Sequence, residues 1–143
     1  MFISHGACPC TRVKIRLMLP EPIEQYSPRA CDCNFCIARE IAYLSDPRGS
    51  LDIDSTEPIE IQRQGSNQAG FLTCAACHTV IAVSVKLEGK LIGALNSSLL
   101  SNHQQLQSAT QVSPKLLSPK DKLERWQSVW LNMTINESSG THG

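Results

Sequence analysis

The stretch FLTCAACHTVIAVSVKLEGKLIGALN, residues 71–96, sets a paired-cysteine motif directly before the strongest hairpin signal in the chain. The segment from Thr79 to Asn96 reads as two strands joined at Glu88-Gly89, because an acidic-residue–glycine pair between two apolar runs favours a tight turn. Val80 to Val85 is almost entirely apolar, as expected of a strand covered on both faces near the middle of a sheet. Cys74 and Cys77 therefore sit where a chain of strands turns back on itself.

Working outward, TRVKIRLML (11–19) alternates Val13, Ile15, Leu17 and Leu19 with polar or longer residues. That period of two predicts a strand with one buried face. PEP (20–22) stops it, and IEIQRQG (59–65) alternates in the same way. SDPRGSLDIDSTEP (45–58) is turn-rich and reads as loop around a short strand at 51–53. IAREIAYL (37–44) fits a short helix or an irregular turn equally well. The polar run 97–114 reads as loop with a helical turn. In SPKDKLERWQSVWL (118–131), Ser118 suits an N-cap and Pro119 the first helical position, with Asp121 three residues after the cap. Leu123, Trp126 and Trp130 form one apolar stripe of that helix, expected to face the core. The fold class is accordingly mainly β, with a C-terminal helix. One domain is expected over residues 1–135, followed by a disordered tail at 136–143.

The composition limits the function classes. The 143 residues are 41% hydrophobic and 18% charged, and the 13 basic residues balance the 13 acidic ones. A chain of this size supports one packed core. The basic residues are scattered, so no nucleic-acid partner is expected. No apolar run approaches the ~18 residues of a membrane span. The N-terminus lacks the apolar core of a secretion signal, which predicts a cytoplasmic protein. Thiols stay reduced there, so seven cysteines point to metal rather than to disulfides.

The cysteines fall in three groups: Cys8 and Cys10, then Cys31, Cys33 and Cys36, then Cys74 and Cys77. Two C-x-x-C turns ordinarily pair, which would join Cys33 and Cys36 to Cys74 and Cys77 and leave three thiols over. A division into four and three uses them all. Four thiolates close a structural site, whereas three keep a position open. On a regular strand Cys8 and Cys10 point the same way and can share one ion. His78 and His5 are candidates to complete a three-cysteine site and close it.

The order CPC, CDCNFC, CAACHT, followed by a hairpin, resembles the glutathione-dependent formaldehyde-activating enzyme family, which includes centromere protein V. The resemblance covers roughly residues 6–100. It implies a zinc-stabilised β-tent of small antiparallel sheets carrying two zinc ions. Cys8, Cys10, Cys74 and Cys77 would hold a structural zinc, and Cys31, Cys33 and Cys36 a catalytic one. It also implies a carbon–sulfur lyase activity that adds a small-molecule thiol of the glutathione type to an aldehyde such as formaldehyde. A non-catalytic, zinc-built protein-binding module is the alternative. The chain departs from the family pattern at Thr11 and His78, where glycines are usual. Arg39 and Arg48 are the cations nearest in sequence to the three-cysteine group, and so candidates to meet a substrate carboxylate.

Overall fold

The computed structural model describes residues 1–31, 41–63, 70–87, 89–112 and 118–137. Eleven strands form one branched, mixed sheet: β1 (Phe2–Ala7), β2 (Val13–Leu19), β3 (Arg29–Cys31), β4 (Ala42–Leu44), β5 (Ser50–Ser55), β6 (Ile59–Arg63), β7 (Gly70–Cys74), β8 (Val80–Leu87), β9 (Lys90–Asn96), β10 (Thr110–Val112) and β11 (Leu131–Glu137). Among the described residues one α-helix, α1 (Pro119–Val129), precedes β11. No helix among the described residues is long and apolar enough to cross a membrane.

The predicted hairpin is the branch point. Leu87 pairs with Lys90, which fixes a two-residue connection, and Gly89 has φ +80, a value natural to glycine. One edge of β9 is bonded to β8 along its length. The other edge is divided: Ile92 and Gly93 pair with β11, and Leu95 and Asn96 pair with β4. Gly93 lies under this crowding, where a Cβ would collide with the Val83 carbonyl oxygen and the Met133 sulfur. From this junction one arm runs through β11, β5 and β2 to β1, a second through β4 and β3 to β10, and a third through β8 and β7 to β6.

Several elements differ from the sequence expectation. β1 was not anticipated, and it pairs antiparallel with β2 from Lys14 to Leu19. The helix ends at Val129, and Leu131 begins a strand that continues to Glu137. Asn136 and Glu137, read as the start of a disordered tail, thus pair with Asp54 and Ser55. Residues 138–143 lie outside the described set. The sheet is not purely antiparallel, because β11 pairs parallel with β5, and β10 with β3. Ala42–Leu44 is a strand, neither helix nor turn.

On β7, Phe71 and Leu72 face two different cores, as the pleat requires. Val13, Ile15, Leu17, Leu19, Leu51, Ile53, Leu72 and Ile81 join the larger one, together with Cys8 and Cys74. Phe71, Tyr43, Val80, Val83, Ile92 and Trp130 form the other, against which α1 packs Trp126 and Val129. Ser118 caps the helix by accepting a hydrogen bond from the Asp121 amide at 3.1 Å. The rings of Trp126 and Trp130 stack with centroids 4.6 Å apart.

One buried charge pins the end of β4. Asp46, 6% exposed, accepts from the Tyr26 hydroxyl at 2.7 Å and from the Arg48 amide at 2.8 Å. Burial alone would raise its carboxyl, but the hydrogen bonds to Arg48 and Tyr26 outweigh it and hold the group below its usual range. A carboxylate depressed in the folded state adds stability above its unfolded pKa of about 3.9, and loses it as pH falls through the folded value. Asp46→Asn is therefore expected to destabilise the protein by about 2 kcal/mol at pH 7. In urea denaturation that deficit should shrink as the pH is lowered below about 4; a deficit unchanged at acid pH would contradict the assignment.

Candidate metal centre

Cys8 and Cys10 sit in the tight connection between β1 and β2, and Cys74 and Cys77 in the connection between β7 and β8. The first pair is thus placed by a turn, not by the regular strand that its spacing suggested. The two turns share a hydrogen-bond plan. In the first, the Cys8 amide donates to Val13 O at 3.0 Å and the Thr11 amide to Cys8 O at 2.9 Å. In the second, the Cys74 amide donates to Thr79 O at 3.0 Å and the His78 amide to Cys74 O at 2.8 Å. Each turn bends back immediately after its second cysteine, and this requires a left-handed residue there. Thr11 has φ 65 and His78 φ 60, the only positive values at non-glycine positions among the described residues. The two positions where the resemblance led one to expect glycine are the two that need its conformation.

The turns place four sulfurs within 4.8 Å of one another, a group that could hold a metal ion. Cys8 Sγ is 3.4 Å from Cys10 Sγ, and Cys10 Sγ is 3.6 Å from Cys74 Sγ. A tetrahedral thiolate site with metal–sulfur bonds of about 2.3 Å separates its sulfurs by about 3.8 Å. The donor set therefore fits such an ion with only small shifts. Cys8 and Cys74 are buried, each 2% exposed, while Cys10 and Cys77 are partly open to solvent.

Without a cation the four thiols cannot all ionise, and their environments divide them. Burial pushes Cys8 up to about 12 and also raises Cys74. Cys77 is pulled down to about 6: burial opposes this, but its hydrogen-bond interactions with Thr79, whose hydroxyl is 3.3 Å from the sulfur, and with Cys10 prevail. Cys10 is lowered chiefly by the Arg12 amide. A metal ion removes the conflict by holding all four as thiolates. Arg12, whose own guanidinium is held charged first by Cys10 and then by Glu57, offsets part of the resulting negative charge.

The remaining expected residues fall as follows. Cys31 closes β3, while Cys33, Cys36 and Arg39 lie outside the described residues. His78 belongs to no metal-binding group among the described residues; its side chain is 74% exposed and its Nδ1 lies 3.9 Å from Glu60 Oε1. His5 stands exposed on β1 opposite Arg16. Arg48 is committed to Asp46, through Nη2 at 3.2 Å and Nε at 3.3 Å. Sequence reasoning missed Arg29, which stands half-buried in β3 and donates to Ser45 Oγ at 3.0 Å.

The left-handed turns yield a direct test. His78→Gly and Thr11→Gly each relieve a backbone conformation that costs a side-chain-bearing residue about 1 kcal/mol. Each is expected to stabilise the metal-loaded protein by about 0.5–1 kcal/mol, read from its denaturation midpoint. Alanine at either position should bring no such gain. Equal effects of glycine and alanine would show that backbone strain is not the cause.

No protein-family model and no characterised protein matches the chain by sequence. Among solved structures, the crystal structure of a Rhodobacter sphaeroides protein from a structural-genomics programme is similar, with a TM-score of 0.53 and 20% identity. The match covers 82% of this chain and 93% of that one, and it establishes likeness of fold.

Proposed function

We propose that the protein is a zinc-dependent carbon–sulfur lyase-like enzyme, which adds a small-molecule thiol of the glutathione type reversibly to an aldehyde such as formaldehyde. The observation that supports this reading is the partition of the cysteines. Cys8, Cys10, Cys74 and Cys77 satisfy one another around a single point. Cys31, Cys33 and Cys36 are then left as a set of their own, one thiolate short of a closed site. On this reading the first group holds a structural zinc and the second a catalytic one.

A zinc ion held by three thiolates would supply a position at which a substrate thiol is bound as thiolate. The addition itself balances simply. The sulfur lone pair forms the carbon–sulfur bond, the carbonyl π pair moves to oxygen, and that oxygen takes a proton from water. The four-cysteine group contributes by joining the turns of two hairpins, which keeps the sheet in one shape without taking part in the chemistry. His78 lies beside Cys77 of that group, so a proton-donor role for it gains no support.

Cys33→Ala separates this reading from a zinc-built binding module. The variant is expected to lose one of two zinc ions per chain and its binding of thiol, measured by metal analysis and calorimetry. It should still unfold cooperatively. Loss of the fold, or retention of both ions, would sink the proposal.

A further inference from the structure

The four-cysteine group has a closed side and an open side. Cys8 and Cys74 are each 2% exposed, while Cys10 and Cys77 are partly open to solvent. Cys10 joins the two sides: its sulfur lies 3.4 Å from that of Cys8 and 3.6 Å from that of Cys74. Cys77 has another close neighbour, the Thr79 hydroxyl at 3.3 Å. Cys10 is therefore both reachable from solvent and within about 1.5 Å of bonding distance to a sulfur of the opposite turn. Its two neighbours are not equivalent as partners. A bond to Cys8 would close a ring of three residues around Pro9, a span too short to reach disulfide geometry without strain. A bond to Cys74 joins residues 64 apart that the fold already holds together, and a cross-link of that kind favours the folded chain.

The geometry points to Cys10 as an oxidation site for peroxides, whose product is a disulfide to Cys74 that takes over the joining of the two turns. The Cys10 thiolate attacks one peroxide oxygen and the O–O bond breaks. That oxygen stays on sulfur as a sulfenic acid, and the other leaves as hydroxide. The Cys74 thiolate then forms the S–S bond, and the sulfenic oxygen leaves as a second hydroxide. The two sulfurs give up two electrons, hydrogen peroxide takes them, and two protons from solvent turn the hydroxides into water. Cys8 and Cys77 are left as the free thiols of the group, two ligands where a tetrahedral ion takes four. The oxidised site thus gives up its hold on a metal ion but keeps the turns tied, and a dithiol reverses the change by exchange. The inference uses the four-cysteine group alone and is independent of the thiol chemistry proposed for Cys31, Cys33 and Cys36.

The test adds hydrogen peroxide stepwise to the zinc-loaded full chain. Released zinc is followed with a chromogenic chelator, remaining thiols are capped with N-ethylmaleimide, and tryptic peptides are mapped by mass spectrometry. Trypsin leaves Cys8 and Cys10 on the peptide ending at Arg12, and Cys74 and Cys77 on the one ending at Lys86. Cys31, Cys33 and Cys36 fall on the peptide ending at Arg39, so their oxidation is read separately. The first two peptides are expected to become linked through Cys10 and Cys74, with Cys8 and Cys77 capped and zinc released in step with the link. Dithiothreitol and fresh zinc should restore the starting state. Urea denaturation gives a second reading: the oxidised, metal-free protein should unfold at a higher midpoint than the reduced protein stripped by a chelator. A bond between Cys8 and Cys10, a link that leaves the zinc in place, or oxidation confined to the peptide ending at Arg39 would each overturn the inference. A midpoint no higher than that of the reduced, stripped protein would show that the disulfide does not take over the tie.

Discussion

Four sulfurs from two turns meet at one point in this structure. Cys10 and Cys74 are 64 residues apart in sequence, yet their sulfurs lie 3.6 Å apart. The β1–β2 hairpin ends one arm of the branched sheet, and the β7–β8 hairpin belongs to another. The ladder that joins the two hairpins runs the long way round, through β5, β11 and β9. A shared ion would tie the two turns directly, and its binding energy would become folding energy. The left-handed backbone at Thr11 and His78 follows from the same demand, because each turn must bring two sulfurs to one point before the next strand begins.

The branch itself depends on absence of bulk. β9 is bonded on one edge to β8 and on the other to both β11 and β4. Gly93 sits where the three come together, and a side chain there would meet Val83 and Met133. The apolar β8 lies between two cores because β9 carries neighbours on both sides. Val83 faces the core covered by α1, and Ala82 the one that reaches the cysteine turns. The cysteine turns and the helix thus lie toward opposite faces of the same strands.

Much of this was legible in the sequence where the signal was local. The alternation of Val13 to Leu19, the turn at Gly89 and the capping of α1 by Ser118 each depend on residues within one element. The grouping of Cys8 and Cys10 with Cys74 and Cys77 was legible through the resemblance, although the turn that presents Cys8 was read as strand. Leu131, Met133 and Ile135 alternate as a strand should, but they follow an amphipathic helix and were absorbed into it and the tail. The parallel partners of β5 and β3 come from distant segments, which no local pattern encodes.

The central claim is that the seven cysteines divide into a closed set of four and an open set of three. Zinc-edge X-ray absorption on the intact protein tests it most directly, read before and after addition of a thiol. Two ions per chain, with four and three sulfur ligands, average about 3.5 sulfurs per zinc. The account predicts that value for the protein alone and a rise to about 4 when thiol is added. An average of four sulfurs from the outset, or a value that thiol does not move, would contradict it.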